Sequence, residues 1–374
     1  MGCGILAAMQ TGVSYFSSRD LEHVREDLRE MVEAGCTYAV HCYTETDLSH
    51  YRETVGQVAK ATREAGLDVW WDPWGLAGIF SGETFTRFPL EHPETWQVLS
   101  DGRKVGAACP NHPATREFLH GWIEACAAAG GGTVLWDEPH FYTPVWRRDF
   151  RPAWACYCEN CSRLFREQFG GEMPREFTPE VKAFREATLL DLLSELCRVA
   201  HEKGMRNALC LFPTDLAEHG FERPGERLRS LVESQVGSGV AASAIEGMMH
   251  IGVGDFDSAA AIPDLDIFST DPYWYALGVE PERFMRAYSE EAAAAAKKHG
   301  RELQLWLQAL RVPAGRAEEL RMGVQVAEDV GATHIAAWSY EATASMSEIA
   351  CAEPEVVWRV LGEEFRRVRR KFQV

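Results

Sequence analysis

The sequence predicts an α/β protein built as one (β/α)8 barrel over residues 1–374, with long loops at about 72–114 and 139–179 covering the C-terminal face of the barrel. Three observations predict it. Eight short, nearly continuous apolar runs alternate with longer amphipathic stretches, as parallel strands buried on both faces alternate with covering helices. No Gly-rich phosphate turn follows the first run, which reads onward as Gln10-Thr11-Gly12-Val13-Ser14, so an open doubly wound sheet fits less well. Finally, acids and aromatic rings recur just past one apolar run after another, where a barrel gathers its loops into one mouth.

The strand candidates, in order, are Ile5–Met9, Thr37–Cys42, Leu67–Trp71, Thr133–Trp136, Asn207–Phe212, Leu265–Ser269, Leu303–Leu307 and His334–Trp338. Helical periodicity joins them. Leu21, Val24, Leu28, Met31 and Val32 keep the 3.6-residue period and stop at Gly35; Val181, Phe184, Leu190, Leu193, Leu196, Cys197 and Ala200 stop at Gly204. Glycine just past the last turn is the expected helix stop. Glu319–Val330 ends at Gly331, and Val357 to Phe372 closes the chain. The stretch Phe221–Ile262 fits the pattern worst, with an ambiguous apolar segment at Ala241–Ile251.

Composition bounds the function. A chain of 374 residues with 46% hydrophobic and 25% charged residues is that of a globular protein with a large core. Its formal charge of −18 repels nucleic-acid phosphates and anionic membranes, so neither is expected as a partner. No apolar run approaches the length of a membrane span, and no basic region precedes an apolar N-terminal stretch. Met1-Gly2-Cys3 lacks the Ser or Thr at position six that myristoylation wants. A cytoplasmic location is the expectation, and homo-oligomerisation is left open. The basic stretch Arg366 to Lys371 reads as a solvated helix face.

The predicted strand ends form a roster: His41 after strand two; Trp70, Asp72 and Trp74 after strand three; Asp137, Glu138 and His140 after strand four; Asp271, Tyr273 and Trp274 after strand six; Gln308 after strand seven; Trp338 and Glu341 after strand eight. Sugars present apolar C–H faces, on which rings stack, and hydroxyls, which Asp, Glu, Gln and His bond. A saccharide or glycoside is therefore the expected ligand, with Trp70 or Trp74, Trp274 and Trp338 as platforms and His41, Asp72, Asp137, His140, Tyr273 and Gln308 as polar contacts. Glycoside hydrolysis needs two carboxyl groups, one of them protonated. Glu138, between Trp136 and Phe141, is the expected general acid, with a pKa raised by its apolar walls. Asp271 is the first choice for its partner and Glu341 the second. Because neighbours on a strand face opposite ways, only one of Asp137 and Glu138 is expected to aim into the mouth. The plainer reading of Glu138 is a salt bridge to a loop arginine.

Eleven cysteines without an export signal argue against a disulfide framework. Cys36, Cys42, Cys126, Cys197, Cys210 and Cys351 sit singly in apolar patterns and read as core. Cys156, Cys158 and Cys161 lie within six residues, and Cys109 sits on the other long loop. Four thiolates are the donor set of a closed, structural zinc site, so Zn(II) is the expected metal and no organic cofactor is expected. A metal-dependent hydrolase would want paired histidines at strand ends, and the predicted first strand offers only Met9-Gln10.

Cys109-Pro110-Asn111 ahead of a helix, a Glu ending strand four, and Cys156-Tyr157-Cys158-Glu159-Asn160-Cys161 together resemble the catalytic barrel of glycoside hydrolase family 42, the β-galactosidases. The resemblance spans the barrel, but its specific motifs lie in about 105–165. It implies a structural zinc on the four cysteines and an acid/base at Glu138. The sequence departs from the family at Asp137, where the family has Asn, and at Gln308, where the family's nucleophilic Glu is expected. The family's trimerisation and C-terminal β domains are not expected here. The chain thus reads as a distant relative in an unassigned glycosidase-like group. A barrel that has lost its nucleophile and only binds carbohydrate is the alternative.

Overall fold

The computed structural model describes residues 9–16, 18–144, 148–213, 219–221, 232–234, 241–275 and 278–371. Eight parallel strands close on themselves: β1 (Gln10–Tyr15), β2 (Tyr38–Cys42), β3 (Asp68–Asp72), β6 (Thr133–Asp137), β7 (Arg206–Leu211), β8 (Ile267–Thr270), β9 (Glu302–Gln308) and β10 (His334–Trp338). β10 pairs with β1, so the barrel leaves no free edge. A two-stranded antiparallel hairpin, β4 (Trp96–Val98) with β5 (Lys104–Ala108), sits between β3 and β6. The fold is the expected (β/α)8 barrel.

The first strand departs from expectation. It begins at Gln10, where the sequence pattern ends its apolar run at Met9; residues 5–8 of that run lie outside the described residues. The reason is space inside the barrel. A Cβ on Gly12 would stand 2.3 Å from the Tyr38 ring, so the bulk that fills this level of the bore comes from β2. Outward, Thr11 Oγ1 donates to Gly35 O (2.6 Å). A strand whose inner positions are Gly12 and Ser14 carries no apolar run to find, and its true end moves to Tyr15-Phe16.

The bore is filled by Tyr38, Val40, Trp70, Leu135, Ala208, Ile267, Trp306 and Ala336. Tyr38 stacks on Trp70 with centroids 4.5 Å apart. Its hydroxyl donates to Ile335 O (3.1 Å) and accepts from Gln304 Nε2 (2.9 Å), so the polar groups down in the bore are partnered. The helices pack outside. Leu21–Ala34 is capped by Asp20, which accepts from Glu22 N, and is stopped by Gly35 in the left-handed region (φ 99°). Thr178 caps Pro179–Glu202 the same way. The ambiguous apolar stretch folds as the helix Ala242–Met249. The basic C-terminal stretch is less free than its composition implies: Arg367 and Lys371 bond Glu328, and Arg367 also bonds Glu364.

The two long connections are sewn to each other. Tyr157 N donates to Val98 O (2.6 Å), Ser100 N to Trp154 O (2.8 Å), and Leu99 bridges Ala155. Glu45, buried beyond β2, fixes the first connection by accepting from Ala77 N, Thr86 Oγ1, Arg87 N and Phe88 N at 2.6–2.8 Å.

Candidate active site

At the C-terminal mouth, carboxylates from three strand ends converge: Asp72 of β3, Asp137 and Glu138 of β6, and Asp271 just past β8. Glu83 joins them from the first long connection. Asp271 is held well above the usual carboxylate range, first by burial, then by the charge of Glu138 and hydrogen-bond contact with its carboxyl. Asp72 and Asp137 are raised too, first by burial and then by charges of this cluster. Two carboxyls at hydrogen-bond reach need a proton between them, since a pair of carboxylates offers no donor. The Glu83 residue is exposed, yet its carboxyl is raised by the protein packed around it and by Glu138, with Arg311 pulling it back.

Glu138 leaves β6 with φ 38°, in the left-handed region that side chains avoid. Its N–H donates to Cys210 O (3.0 Å), its carbonyl meets His140 Nδ1 (2.8 Å), and Ser81 Oγ donates to its Oε2. The expectation that only one of Asp137 and Glu138 faces the mouth rests on strand alternation, which this turn interrupts. Strand alternation ends at Asp137, and both carboxyls act on Asp271. The salt bridge to a loop arginine is absent: among the described residues none of the five carboxylates forms an ion pair.

Aromatic rings wall one side. Phe16 stacks on Trp74 (5.1 Å, 16°), and Trp74 packs on Trp338, which packs on Trp306. Among the described residues Asp72 Oδ1 and Asp271 Oδ1 are buried without a hydrogen-bond partner, as is the hydroxyl of Ser14. Unpartnered polar atoms collected at one mouth are what a hydroxylated ligand would satisfy. Tyr273 packs there too; burial and then the charge of Asp271 raise its pKa. Phe16, Ser81 and Glu83 escape sequence reasoning. Phe16 follows the misplaced first strand, and the other two lie in a loop without a motif.

Several predicted residues face elsewhere. His41 is on the outer side of β2, where Nε2 donates to Thr62 Oγ1 (2.9 Å), because that hydroxyl's own proton goes to Val58 O. Burial lowers its pKa to about 4. Trp70 lies down in the bore on Tyr38. Trp274 is fully buried under the helix Glu319–Asp329, its Nε1 donating to Glu319 Oε2 (2.9 Å). Gln308 is buried and spent on backbone, accepting from Tyr275 N and donating to Leu310 O. Glu341 is exposed; it is raised by partial burial and then by Glu30 and Asp27, and it stands with Tyr340 against the first helix, apart from the cluster. The geometry thus brings together Asp72, Trp74, Asp137, Glu138, His140, Asp271, Tyr273 and Trp338.

The four cysteines also converge. The sulfurs of Cys109, Cys156, Cys158 and Cys161 lie within 4.8 Å of one another, with Cys109–Cys161 and Cys109–Cys158 at 3.5 Å. Tetrahedral zinc–thiolate bonds of about 2.3 Å set sulfurs about 3.8 Å apart, so the site fits a metal such as zinc. Asn111 Nδ2 donates to Cys161 Sγ (3.4 Å). Arg185, 1% exposed, lies over the Phe141 ring (4.8 Å), and its charge is favoured by Cys156 and Cys161. Burial still lowers its pKa to about 9, and its Nε and Nη2 are unpartnered. The other six core cysteines named from the sequence are buried; Cys42 and Cys210 line the bore, with Cys42 Sγ donating to Asp72 Oδ2 (3.4 Å).

No protein-family model matches the chain, and no curated protein does. Solved structures match its fold. The catalytic domain of β-amylase from Paenibacillus polymyxa superposes with TM-score 0.65 at 11% identity, covering 96% of this chain and 99% of that one. The endo-1,4-β-mannanase of Rhizomucor miehei gives 0.56 at 10%, covering 96% and 95%. The endo-β-1,4-mannanase of Thermotoga petrophila gives 0.53 at 10%, covering 98% and 78%. At such identities the likeness is one of fold: a barrel of the kind glycosidases use. No helix of the described residues is long and apolar enough to cross a membrane.

Proposed function

We propose that the protein is a glycoside hydrolase whose acid and nucleophile are Glu138 and Asp271. The observation that carries this is the contact between their carboxyls at the ends of β6 and β8, beside an aromatic wall and unpartnered polar atoms. The reaction proposed is a retaining one, which goes with a carboxyl pair about 5–5.5 Å apart rather than with the wider gap that admits a water. One carboxylate attacks the anomeric carbon as the glycosidic C–O bond breaks and the other gives its proton to the leaving oxygen. The second then takes a proton from water, which displaces the first and regenerates the pair. The four thiols support a structural zinc that braces the loops and enters no step. The resemblance to family 42 rests on those thiols and on the position of Glu138.

That position makes Glu138 the acid and Asp271 the nucleophile. The reverse assignment is favoured by one observation: burial, then the charge of Glu138, holds Asp271 well above the usual carboxylate range, as suits an acid. Azide rescue separates the two. With Glu138→Gln as the acid variant, turnover of natural glycosides falls about 10²–10⁴-fold, activated aryl glycosides are spared, and azide yields a glycosyl azide of retained configuration. An inverted azide product assigns Glu138 as nucleophile. Saccharide binding without turnover in the wild type would instead mean a non-catalytic barrel.

A further inference from the structure

We infer that the mouth selects a saccharide carrying a protonated amine, an amino sugar or its oligomer, seated with its ammonium among Asp72, Asp137 and Asp271 against the Trp74 wall. This rests on the carbohydrate reading above and adds the substrate's charge. Four observations carry it. Five carboxylates share one mouth, and among the described residues none has a lysine or arginine in ion-pair contact; Arg311 acts on Glu83 alone at a distance. Asp72 Oδ1 and Asp271 Oδ1 are at least nine-tenths buried and have no hydrogen-bond donor among the described residues. Trp74, stacked on Phe16 and packed on Trp338, walls the mouth with aromatic rings, beside which a cation is favoured. Among the described residues the four cysteines are the one group of three or more ligands compact enough to hold a metal, so the carboxylates do not form such a site and suit an organic cation.

A neutral sugar in this mouth would leave the mutual repulsion of the acids in place. An ammonium donates up to three hydrogen bonds and removes the repulsion together. The net charge of −18 adds a long-range field of the same sign, which draws cations to the protein.

Calorimetric titration of the wild-type chain tests the inference with glucosamine, galactosamine and mannosamine, each beside its 2-hydroxy and N-acetyl counterpart, and with tetramers of β-1,4-linked glucosamine, N-acetylglucosamine and glucose. At least one amine should bind tenfold or more tightly than both neutral counterparts, and raising the salt from about 20 to about 300 mM should cut that advantage severalfold. Asp137→Asn should lower the amine-to-neutral affinity ratio severalfold, whatever it does to the neutral sugar alone. Neutral sugars that match or exceed their amines in every series overturn the charge selection and leave the glycosidase proposal standing. If no saccharide of either kind binds at tens of millimolar, both fall.

Discussion

A tryptophan two or three residues past a strand-end carboxylate can stack on a sugar or fill a core, and Trp74 and Trp274 divide between these fates. Trp74 lies on Phe16 at the mouth beside Glu83, while Trp274 is enclosed under Glu319–Asp329. Trp274→Ala should therefore cost about 3–5 kcal/mol of stability, seen as a lower Tm, with saccharide affinity of the folded protein unchanged. Trp74→Ala should do the opposite, weakening binding by about 1–3 kcal/mol in calorimetry with a smaller change in Tm. The same division limits what the sequence can reveal. The types Asp72, Asp137, Glu138 and Asp271 are legible as strand-end acids, but whether a neighbour such as His41 points in or out depends on parity. One residue of register decides it, and the register of β1 was hidden by Gly12 and Ser14.

Among the elements, the hairpin β4–β5 and the segment leading into the helix Glu159–Phe169 meet at the four thiols. Spacing made the cysteine constellation legible, because three thiols within six residues and a fourth on the neighbouring loop have few other uses. Arg185 was not legible: it sits mid-helix in Pro179–Glu202 with no motif around it. A tetrathiolate zinc carries net negative charge, and Arg185 is the buried cation facing it. The protein should bind about one zinc per chain by elemental analysis and lose it in a Cys158→Ser/Cys161→Ser variant. Chelation should lower Tm and raise hydrogen exchange in the hairpin and in Glu159–Phe169. Arg185→Gln should weaken zinc retention in a chelator competition by about 10–100-fold, since charge and orientation around the ligands are lost. Zinc held as tightly by that variant would reduce Arg185 to a packing role on Phe141.

For the whole molecule, stability against pH follows from which groups folding protects and which it burdens. His41 and His334 are buried and His250 is mostly so, and each pKa is lowered, first by desolvation, from 6.5 to about 4. A lowered histidine favours the folded state above its unfolded pKa, and that contribution is lost as pH falls from about 6.5 toward 4. For fully buried His41 it is on the order of 3 kcal/mol. Asp72, Asp137 and Asp271 run the other way. Their folded pKa values are raised, so their contribution is present below the unfolded value near 3.8 and is lost as pH rises through the folded values. Between about pH 4 and 6.5 the two sets oppose each other, and above 6.5 the mouth acids act without the histidines. Tm should thus fall on the acid side through the histidines and decline on the alkaline side through the mouth. Two variants separate the limbs. Asp137→Asn should raise Tm at pH 8, by on the order of 1 kcal/mol in stability, and make little difference at pH 4. His41→Gln can keep a donor toward Thr62 without titrating, so it should flatten the acid limb and leave the alkaline one alone. Melting curves from pH 4 to 9 on the three proteins check both. An Asp137→Asn protein that loses stability equally at every pH would mean that its carboxylate is held by a partner, and would remove the charge crowding on which the selection of a cationic sugar depends.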